Sequence, residues 1–363
     1  MSAPAASPTI QEKAAGPAST MPAVGEDRAA MAASPGSKST YLAALKSALD
    51  EEMARNPDMI CQGEDIGRLG GAFGVTEGLQ EKYGEPRVID APIAEAAIVG
   101  TSVGMALAGK TVMAEMQFID FISCGFDQIV NMMATYHYRT AGEVNIPVVV
   151  RGPAGAYGGG ALYHSQMNEA WFCNAPGLKV VCPSTPYDAK GLMKAALRDG
   201  NPVIFFEIKE LYRRNEIAEE LPEEDYIVPL GQAAIRREGK DVTLVSYGQN
   251  MYHCLAAADV LKEQGIEAEV IDIRTLVPLD EETIFKSLAK TNRLIVVNEA
   301  PMTCGFAGEI VSRVTTKAFD LLDAPPVRIT RLDTPVPWVK PLELHVLPSV
   351  EKIVDAAVKT VRY

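Results

Sequence analysis

The fold is decided by the stretch that begins at Gly63-Glu64-Asp65, runs through a glycine-rich turn, and ends at Asp90-Ala91-Pro92-Ile93-Ala94-Glu95. It leads from a polar loop through the strand-like pair Val88 and Ile89 to one carboxylate. That carboxylate opens a run of small apolar residues at 96–108. A carboxylate at the mouth of an apolar helix is costly to bury unless a ligand or a proton satisfies it, so Glu95 is a candidate acid or base. The alternative is an ordinary acid in the first turn of a helix, where the helix dipole favours it.

Strands and helices are predicted to alternate along the rest of the chain. Short strands that are apolar on both faces indicate covered parallel sheets. We therefore predict an α/β protein with two doubly wound domains whose sheets are mainly parallel. The predicted strands are 59–63, 87–93, 111–118, 147–152, 178–183, 202–208, 242–247, 269–273, 293–298 and 326–331. The predicted helices are 40–56, 96–108, 126–140, 188–198, 252–264, 280–291, 308–322 and 350–361, and the proline-rich segment 334–348 is predicted to wrap over the surface.

A chain of 363 residues exceeds the usual size of a single core, which favours two domains. Residues 1–38 are rich in Ala, Pro and Ser and are predicted to form a disordered tail. The first domain is predicted at 39–215, an acidic linker at 216–235, and a smaller second domain at 236–363.

The composition excludes several classes of function. A net charge of −13 argues against non-specific binding of nucleic acid. The six cysteines form no Cys-x-x-Cys pair, which favours reduced thiols over a disulfide framework or a zinc site. No apolar run reaches the ~18–20 residues of a membrane span. The first residues lack an apolar signal core, and Arg28 is their only arginine, so we expect a cytoplasmic protein.

One motif is misleading. Residues 104–111, Gly-Met-Ala-Leu-Ala-Gly-Lys-Thr, fit the phosphate-loop pattern G-x-x-x-x-G-K-[ST]. That loop needs a strand before it and a helix after it, so that helix amides can hold phosphate. Here the predicted helix comes first and Gly109 is expected to end it, so nucleotide binding is not predicted.

Several further blocks follow in a fixed order. They are Gly70-Gly71-Ala72-Phe73, Glu115-Met116-Gln117-Phe118, Phe126-Asp127-Gln128-Ile129-Val130-Asn131, Tyr163-His164-Ser165-Gln166, Pro176-Gly177-Leu178-Lys179-Val180-Val181 and Asp188-Ala189-Lys190-Gly191-Leu192. With the opening stretch, they resemble the beta subunit of the thiamine-diphosphate-dependent decarboxylase component of 2-oxo acid dehydrogenase complexes. The resemblance extends from about residue 39 to the end of the chain. It implies a transketolase-like pyrimidine-binding domain at 39–215 and a transketolase C-terminal-like domain at 236–363.

The resemblance assigns roles to five residues near the opening stretch. Glu95 matches the glutamate that hydrogen-bonds the cofactor's pyrimidine ring and promotes its activation. Glu64 matches a glutamate of an acidic passage that relays protons, although a solvated loop acid is the alternative. Gln117, Phe121 and Ile93 match positions that line the pyrimidine, although plain core packing would explain them too.

His164 is one of only four histidines and follows a glycine-rich segment. Imidazole is the natural proton donor near neutral pH. The resemblance implies that His164 protonates the lipoyl group, or steadies the intermediate, during reductive acylation. A structural histidine is the alternative.

The resemblance also implies cofactors and partners. Thiamine diphosphate enzymes usually carry a Gly-Asp-Gly motif for the magnesium diphosphate, and this chain has none. The family explains this, because an alpha subunit holds the magnesium and shares the cofactor in an α2β2 heterotetramer. The implied further partner is the acyltransferase core with its lipoyl and subunit-binding domains. Some members hold a structural potassium ion through backbone carbonyls, here matched by those of Val148, Ala196, Leu197, Asp199 and Asn201.

The substrate stays open at this stage. Residues 183–192 are similar to pyruvate-type members, whereas residues 160–166 are similar to branched-chain members. The alternatives are an acetoin dehydrogenase beta subunit and a non-catalytic assembly subunit.

Overall fold

The computed structural model describes residues 38–363. The tail predicted for residues 1–38 therefore lies, except for its last residue, outside the described residues.

The described chain contains strands and helices in alternation. The strands are β1 Met59–Gly63, β2 Val88–Asp90, β3 Thr111–Glu115, β4 Val148–Ala154, β5 Lys179–Val181, β6 Val203–Ile208, β7 Ala234–Arg237, β8 Val242–Ser246, β9 Ala268–Asp272, β10 Thr275–Val277, β11 Leu294–Pro301 and β12 Val327–Arg331. The α-helices are α1 Tyr41–Arg55, α2 Leu79–Tyr83, α3 Glu95–Leu107, α4 Tyr136–Arg139, α5 Ala170–Cys173, α6 Pro186–Arg198, α7 Gln249–Glu263, α8 Glu281–Thr291, α9 Phe306–Lys317, α10 Lys340–Val346 and α11 Val350–Val361.

The strands form two sheets, which confirms the predicted α/β fold with two mainly parallel sheets. The first has seven strands in the order β10-β5-β6-β4-β3-β1-β2, and all but β10 run parallel. The second has five strands in the order β12-β11-β8-β9-β7, with only β7 antiparallel. The longest strands of the first sheet, β4 and β6, are buried along their whole length, as a sheet covered on both faces requires.

Local sequence explains where the covering helices begin and end. Thr40 caps α1 and Thr185 caps α6, each through its side-chain oxygen, and Pro186 occupies the first turn of α6. Helix α3 ends at Leu107, Gly109 follows with a φ of +88°, and β3 begins at Thr111. The predicted order of helix, glycine and strand at the phosphate-loop look-alike is therefore confirmed.

The two units share one core. Strand β10 comes from the C-terminal half but pairs with β5 at the edge of the first sheet. Buried apolar residues of both halves belong to the same cluster. Asp188 at the start of α6 forms ion pairs with Arg236 and Arg274 of the second unit, and Arg236 also binds Asp272. We call the halves the N-terminal and the C-terminal unit.

The helix predicted for 126–140 is present but irregular: the backbone is helical at Phe126 and Asp127, continues as the π-helical segment Gln128–Met133, and ends in the short α4. Within this segment the Asn131 amide donates to Asp127 and the Thr135 hydroxyl donates to the Asn131 carbonyl, so side chains compete with the regular helix. The proline-rich segment 334–348 is not only a surface wrap, because it contains α10 and buries Val336 and Leu347.

None of the helices in residues 38–363 combines the length and the apolar character that crossing a membrane would require.

Candidate active site

The predicted site residues follow the carboxyl ends of four adjacent strands of the first sheet. Glu64 follows β1, Glu95 follows β2, Gln117 follows β3 and His164 lies in the loop after β4. The four strands are neighbours in the order β4-β3-β1-β2 and run parallel, so their carboxyl ends meet at one edge. Ligands of open parallel sheets bind at this edge.

Glu64 is buried in a polar turn and lacks a partner for one oxygen. Its side chain is 5% exposed, and its Oε1 accepts no hydrogen bond from the described residues. Burial raises the pKa of Glu64, and the charges of Glu95 and Asp65 raise it further. Because the charge of Glu95 acts on Glu64, the two carboxyl groups predicted from the sequence belong to one electrostatic cluster.

Glu95 is the first residue of α3, and Ala94 before it provides no side-chain cap. The side chain is half-buried, while Ile93, two residues earlier, is 83% exposed. A single exposed apolar side chain is ordinary on a protein surface, so Ile93 is of interest here only through its position two residues before Glu95.

Gln117 lies against the same polar turn. Its amide nitrogen donates to Asp65 Oδ2 over 3.3 Å. Gly63, the last residue of β1, allows the close approach, because a Cβ there would lie 2.8 Å from Glu115 Cβ. The Gly-Glu-Asp turn thus packs closely against the end of β3, with Gln117 beside it.

His164 packs against aromatic rings rather than against the carboxylates. Its ring lies edge-on to Phe118, with centroids 4.2 Å apart, and to Phe121, with centroids 5.8 Å apart. Phe118 in turn contacts Phe73 edge-on. The structure therefore brings together two groups: the acids with Gln117, and His164 with Phe121. They are joined through neighbouring residues at the end of β3, and no hydrogen bond or ion pair links His164 to Glu95 within the described chain.

Sequence reasoning missed a buried ion network beneath this edge. Arg151 in the middle of β4 donates to Glu115 and Glu207, and Tyr212 donates to Glu207 over 2.6 Å. Burial raises the pKa of Glu115 to about 7, although the Arg151 charge opposes that rise. The signal was present as an arginine inside the apolar strand 147–152, where a charge requires a partner.

The carbonyls proposed for potassium lie at the opposite edge of the sheet. Ala196 and Leu197 belong to the last turn of α6, and Val148 opens β4. The loop 199–202 leads into β6, whose Val203 pairs with Val149. The Asp199 side chain binds Lys179. The potassium ion itself stays a prediction.

A cavity lies away from these residues. It has a volume of about 930 Å³ between the two units and contains none of the predicted site residues. Its walls include Trp171, Phe126, Phe306, Cys173 and Cys304.

Comparisons with known proteins match both units to families. Residues 37–215 match the transketolase pyrimidine binding domain, and residues 231–353 match the transketolase C-terminal domain. A solved structure described as a split-gene transketolase, inactive beta4 tetramer, superimposes with a TM-score of 0.72 at 22% identity. It covers 90% of this chain and 99% of its own, and supports the fold alone.

Curated relatives are more similar in sequence. The 2-oxoisovalerate dehydrogenase subunit beta of Bacillus subtilis is 44% identical over 321 residues, 88% of this chain and 97% of that protein. The mitochondrial pyruvate dehydrogenase E1 component subunit beta-1 of Arabidopsis thaliana is 44% identical, covering 86% of this chain and 87% of its own. The subunit beta of acetoin:2,6-dichlorophenolindophenol oxidoreductase from Cupriavidus necator is 44% identical, covering 88% and 96%.

Proposed function

The chain belongs to the family of beta subunits of 2-oxo acid dehydrogenase E1 components, and from this membership we propose that it decarboxylates a 2-oxo acid together with an alpha subunit. The assembly would then transfer the acyl group to lipoyllysine of an acyltransferase core. The observation that supports this most directly is the pair Glu64 and Glu95, held at the carboxyl ends of β1 and β2 beside the exposed Ile93.

These residues fit the pyrimidine end of thiamine diphosphate. Glu64 has an oxygen without a partner, Glu95 has a half-buried carboxyl group, and Ile93 offers an uncovered apolar surface. When bound, thiamine diphosphate supplies the electron sink that decarboxylation of a 2-oxo acid needs. Glu95 would hold one edge of the ring by a hydrogen bond, while Ile93, Phe121 and Gln117 would orient the ring and exclude water.

Glu64 would act as a proton store beside Glu95. Because burial and the charges of Glu95 and Asp65 raise its pKa, Glu64 keeps a proton to a higher pH than a free glutamate does. A proton held there would be available for relay toward the reaction site.

His164 would serve the second half of the reaction. Reductive acylation leaves a thiolate on the opened lipoyl ring, and that sulfur needs a proton. His164 stands on Phe118 and Phe121, and neither of its ring nitrogens has a hydrogen-bond partner among residues 38–363. An imidazole held by aromatic neighbours, with both nitrogens unpaired among the described residues, is suited to donate that proton.

The proposal includes partners and ions. The alpha subunit would hold magnesium and the diphosphate in an α2β2 heterotetramer, and the acyltransferase core would bring the lipoyl and subunit-binding domains. A potassium ion on the carbonyls near the end of α6 would stabilise that loop. The predicted cytoplasmic location is part of the same proposal, and cell fractionation would test it.

A second candidate function is cleavage of acetoin. It is favoured by the 44% identity to the acetoin oxidoreductase beta subunit, which equals the identity to the pyruvate and branched-chain relatives named above. Equal similarity to three activities gives no preference among their substrates.

The test compares pyruvate, 3-methyl-2-oxobutanoate and acetoin as substrates of the chain alone and of the chain co-purified with its alpha partner. Wild type, Glu95→Gln and the control Glu85→Gln would be assayed with thiamine diphosphate and magnesium. Glu85 is an exposed glutamate ten residues earlier. Activity in the pair that Glu95→Gln abolishes and Glu85→Gln retains would support the proposal.

Other outcomes would separate the alternatives. Equal activity of Glu95→Gln and wild type would favour a non-catalytic assembly subunit. Turnover of acetoin, with no turnover of either 2-oxo acid, would support acetoin cleavage in place of 2-oxo acid decarboxylation. Activity of the isolated chain would refute the shared site.

A further inference from the structure

The loop that carries His164 is held in an uncommon conformation. We call residues 155–166 the histidine loop. Besides glycines, it places Tyr157 at a φ of +68° and Ala161 at a φ of +54°. Residues other than glycine persist in this left-handed region only where the surroundings hold them there. The contacts that hold the histidine loop therefore decide where His164 stands.

The start of the loop is held by Glu299 of the C-terminal unit and by Lys209 of the N-terminal unit. The Ala156 amide donates to Oε1 of Glu299, a residue of β11 that is 3% exposed. Lys209 donates to the neighbouring Gly155 carbonyl. Gly155 has a φ of +89°, and a Cβ there would lie 3.3 Å from Glu299 Oε2. The Glu299 carboxyl group thus supports the turn that leaves β4.

The middle of the loop is held by α10 and its surroundings. The Gly159 amide donates to Glu343 Oε1 over 3.1 Å, and Glu343 is fully buried. Lys340 donates to the Tyr157 carbonyl. The Tyr157 hydroxyl donates to the Pro348 carbonyl over 3.2 Å, and its ring lies in a buried cluster of apolar residues from the same segment.

The end of the loop is held by residues close to the site. The amides of Ser165 and Gln166 both donate to Asp120 Oδ1, over 3.1 and 3.0 Å. Arg331 of β12 donates to the Gln166 side chain over 3.2 Å. His164 therefore lies between two anchored stretches, and its ring is fixed against Phe118 and Phe121.

We propose that Glu299 and Glu343 are positioning residues for His164: the C-terminal unit uses two buried carboxyl groups to fix the backbone of the histidine loop at the edge where the acyl acceptor must receive its proton. This inference rests on the proposed function, because it assigns a consequence to the role of His164 in acyl transfer. It makes the C-terminal unit a part of the reaction machinery as well as a part of the assembly.

Another buried glutamate of the same unit provides a comparison. Glu269 in β9 is also fully buried and also accepts a backbone amide, that of Gly239, over 3.2 Å. Its other partner is Lys290. Glu269 forms no hydrogen bond or ion pair with the histidine loop, so it is a matched control for the removal of a buried carboxyl group from the C-terminal unit.

The first measurement is hydrogen–deuterium exchange of the enzyme assembled with its alpha subunit, for wild type, Glu299→Ala, Glu343→Ala and Glu269→Ala. Peptides from residues 155–166 should exchange about tenfold faster in the two loop variants, as expected for loss of one buried hydrogen bond. Glu269→Ala should leave these peptides unchanged. Exchange in the histidine loop that matches wild type in both loop variants would overturn the proposal.

The second measurement separates the half-reactions. Decarboxylation is followed with 2,6-dichlorophenolindophenol as the acceptor, and acyl transfer with a lipoyl domain. In Glu299→Ala and Glu343→Ala, acyl transfer should fall about tenfold, while the dye-coupled rate stays within about twofold of wild type. A faster-exchanging loop with unchanged acyl transfer would overturn the positioning role.

The conservative variant Glu299→Gln gives a readout that a structural role alone would not explain. Burial raises the pKa of Glu299 to about 7, so a neutral amide resembles the group present near neutral pH. The Gln oxygen can still accept the Ala156 amide, so both loop exchange and acyl transfer should return to within about threefold of wild type. If Gln behaves like Ala, the hydrogen bond is not the cause. A wild-type assembly that processes no substrate would refute the proposed function, whereas the exchange data would still decide whether the two acids hold the loop.

Discussion

Arg151→Met should destabilise the chain strongly, because it removes the only cation of the ion network beneath the site. The guanidinium of Arg151 and the side chains of Glu115 and Glu207 are each at most 4% exposed. After the change, Glu207 keeps the Tyr212 hydroxyl, while Glu115 retains no hydrogen-bond partner from the described residues. Loss of one partner from a buried ion pair costs about 3–5 kcal/mol of the free energy of unfolding. At roughly 2 °C per kcal/mol for a chain of this size, the melting temperature should fall by about 6–10 °C.

The loss of unfolding free energy caused by Arg151→Met should increase with pH. The pKa of Glu115 is about 7 in the folded chain, against an ordinary value of 4.5. The folded state therefore binds this proton more tightly than the unfolded state does, and its stability decreases as pH rises from about 4.5 through 7. Removing Arg151 raises the folded pKa further, because an opposing positive charge is lost. The free-energy difference between variant and wild type should accordingly be larger at pH 8 than at pH 5.

Urea unfolding at the two pH values measures both effects. Arg313→Met is the control, because Arg313 also binds two carboxylates, Glu281 and Glu309, but is 39% exposed. It should cost less than about 1 kcal/mol. Adding Glu115→Gln to Arg151→Met should recover part of the loss at pH 8. A loss below about 1 kcal/mol for Arg151→Met, or an equal loss at both pH values, would refute the reasoning.

Three further predictions follow from the site and the backbone. Glu95→Gln should lower the pKa of Glu64 toward its ordinary value, because the substitution removes one of the negative charges that raise that pKa. An unchanged titration of the carboxyl infrared band would contradict the electrostatic interaction between the two residues. Gly177→Ala should lower the free energy of unfolding in urea by more than about 2 kcal/mol, because Gly177 has a φ of +101° and a Cβ there would lie 2.0 Å from a backbone carbonyl oxygen. The control Gly265→Ala, at a φ of +78° but with open space around it, should lower the same free energy by only about 1 kcal/mol. Ile93→Ala should change the free energy of unfolding by less than about 0.5 kcal/mol, because the side chain is 83% exposed. The same substitution should weaken binding of thiamine diphosphate to the assembly severalfold, and equal affinities of variant and wild type would show that Ile93 does not contact the cofactor.

The sequence predicted the elements whose pattern is local. Buried strands such as β1 and β6 and capped helices such as α6 carry their apolar period and their cap within a few residues. It failed where distant contacts override that pattern. Strand β10 has only three residues, and its partner β5 lies about a hundred residues earlier, so no local run announces it.

The residues of the site differ in the same way in how far the sequence predicts them. The position of Glu64 and Glu95 after neighbouring strands follows from strand order, because parallel strands present their carboxyl ends together. The anchors of the histidine loop could not be predicted, since Ala156 and Glu299 are separated by 143 positions along the chain. A buried glutamate in an apolar strand predicts only that some partner exists.

Charge pairing distinguishes the carboxylates of the site from those that support the fold. The interior acids Glu115 and Glu207 share the positive charge of Arg151 within the chain. At the strand edge the situation is reversed, because every charged neighbour that shifts the pKa of Glu64 is itself a carboxylate. Gathering negative charge in this way is unfavourable unless a proton or a positively charged group from outside balances it. Burial and the absence of a contributing cation among residues 38–363 together set this edge apart from the ion network, and under the proposed function a ligand or a partner subunit would supply the balancing charge.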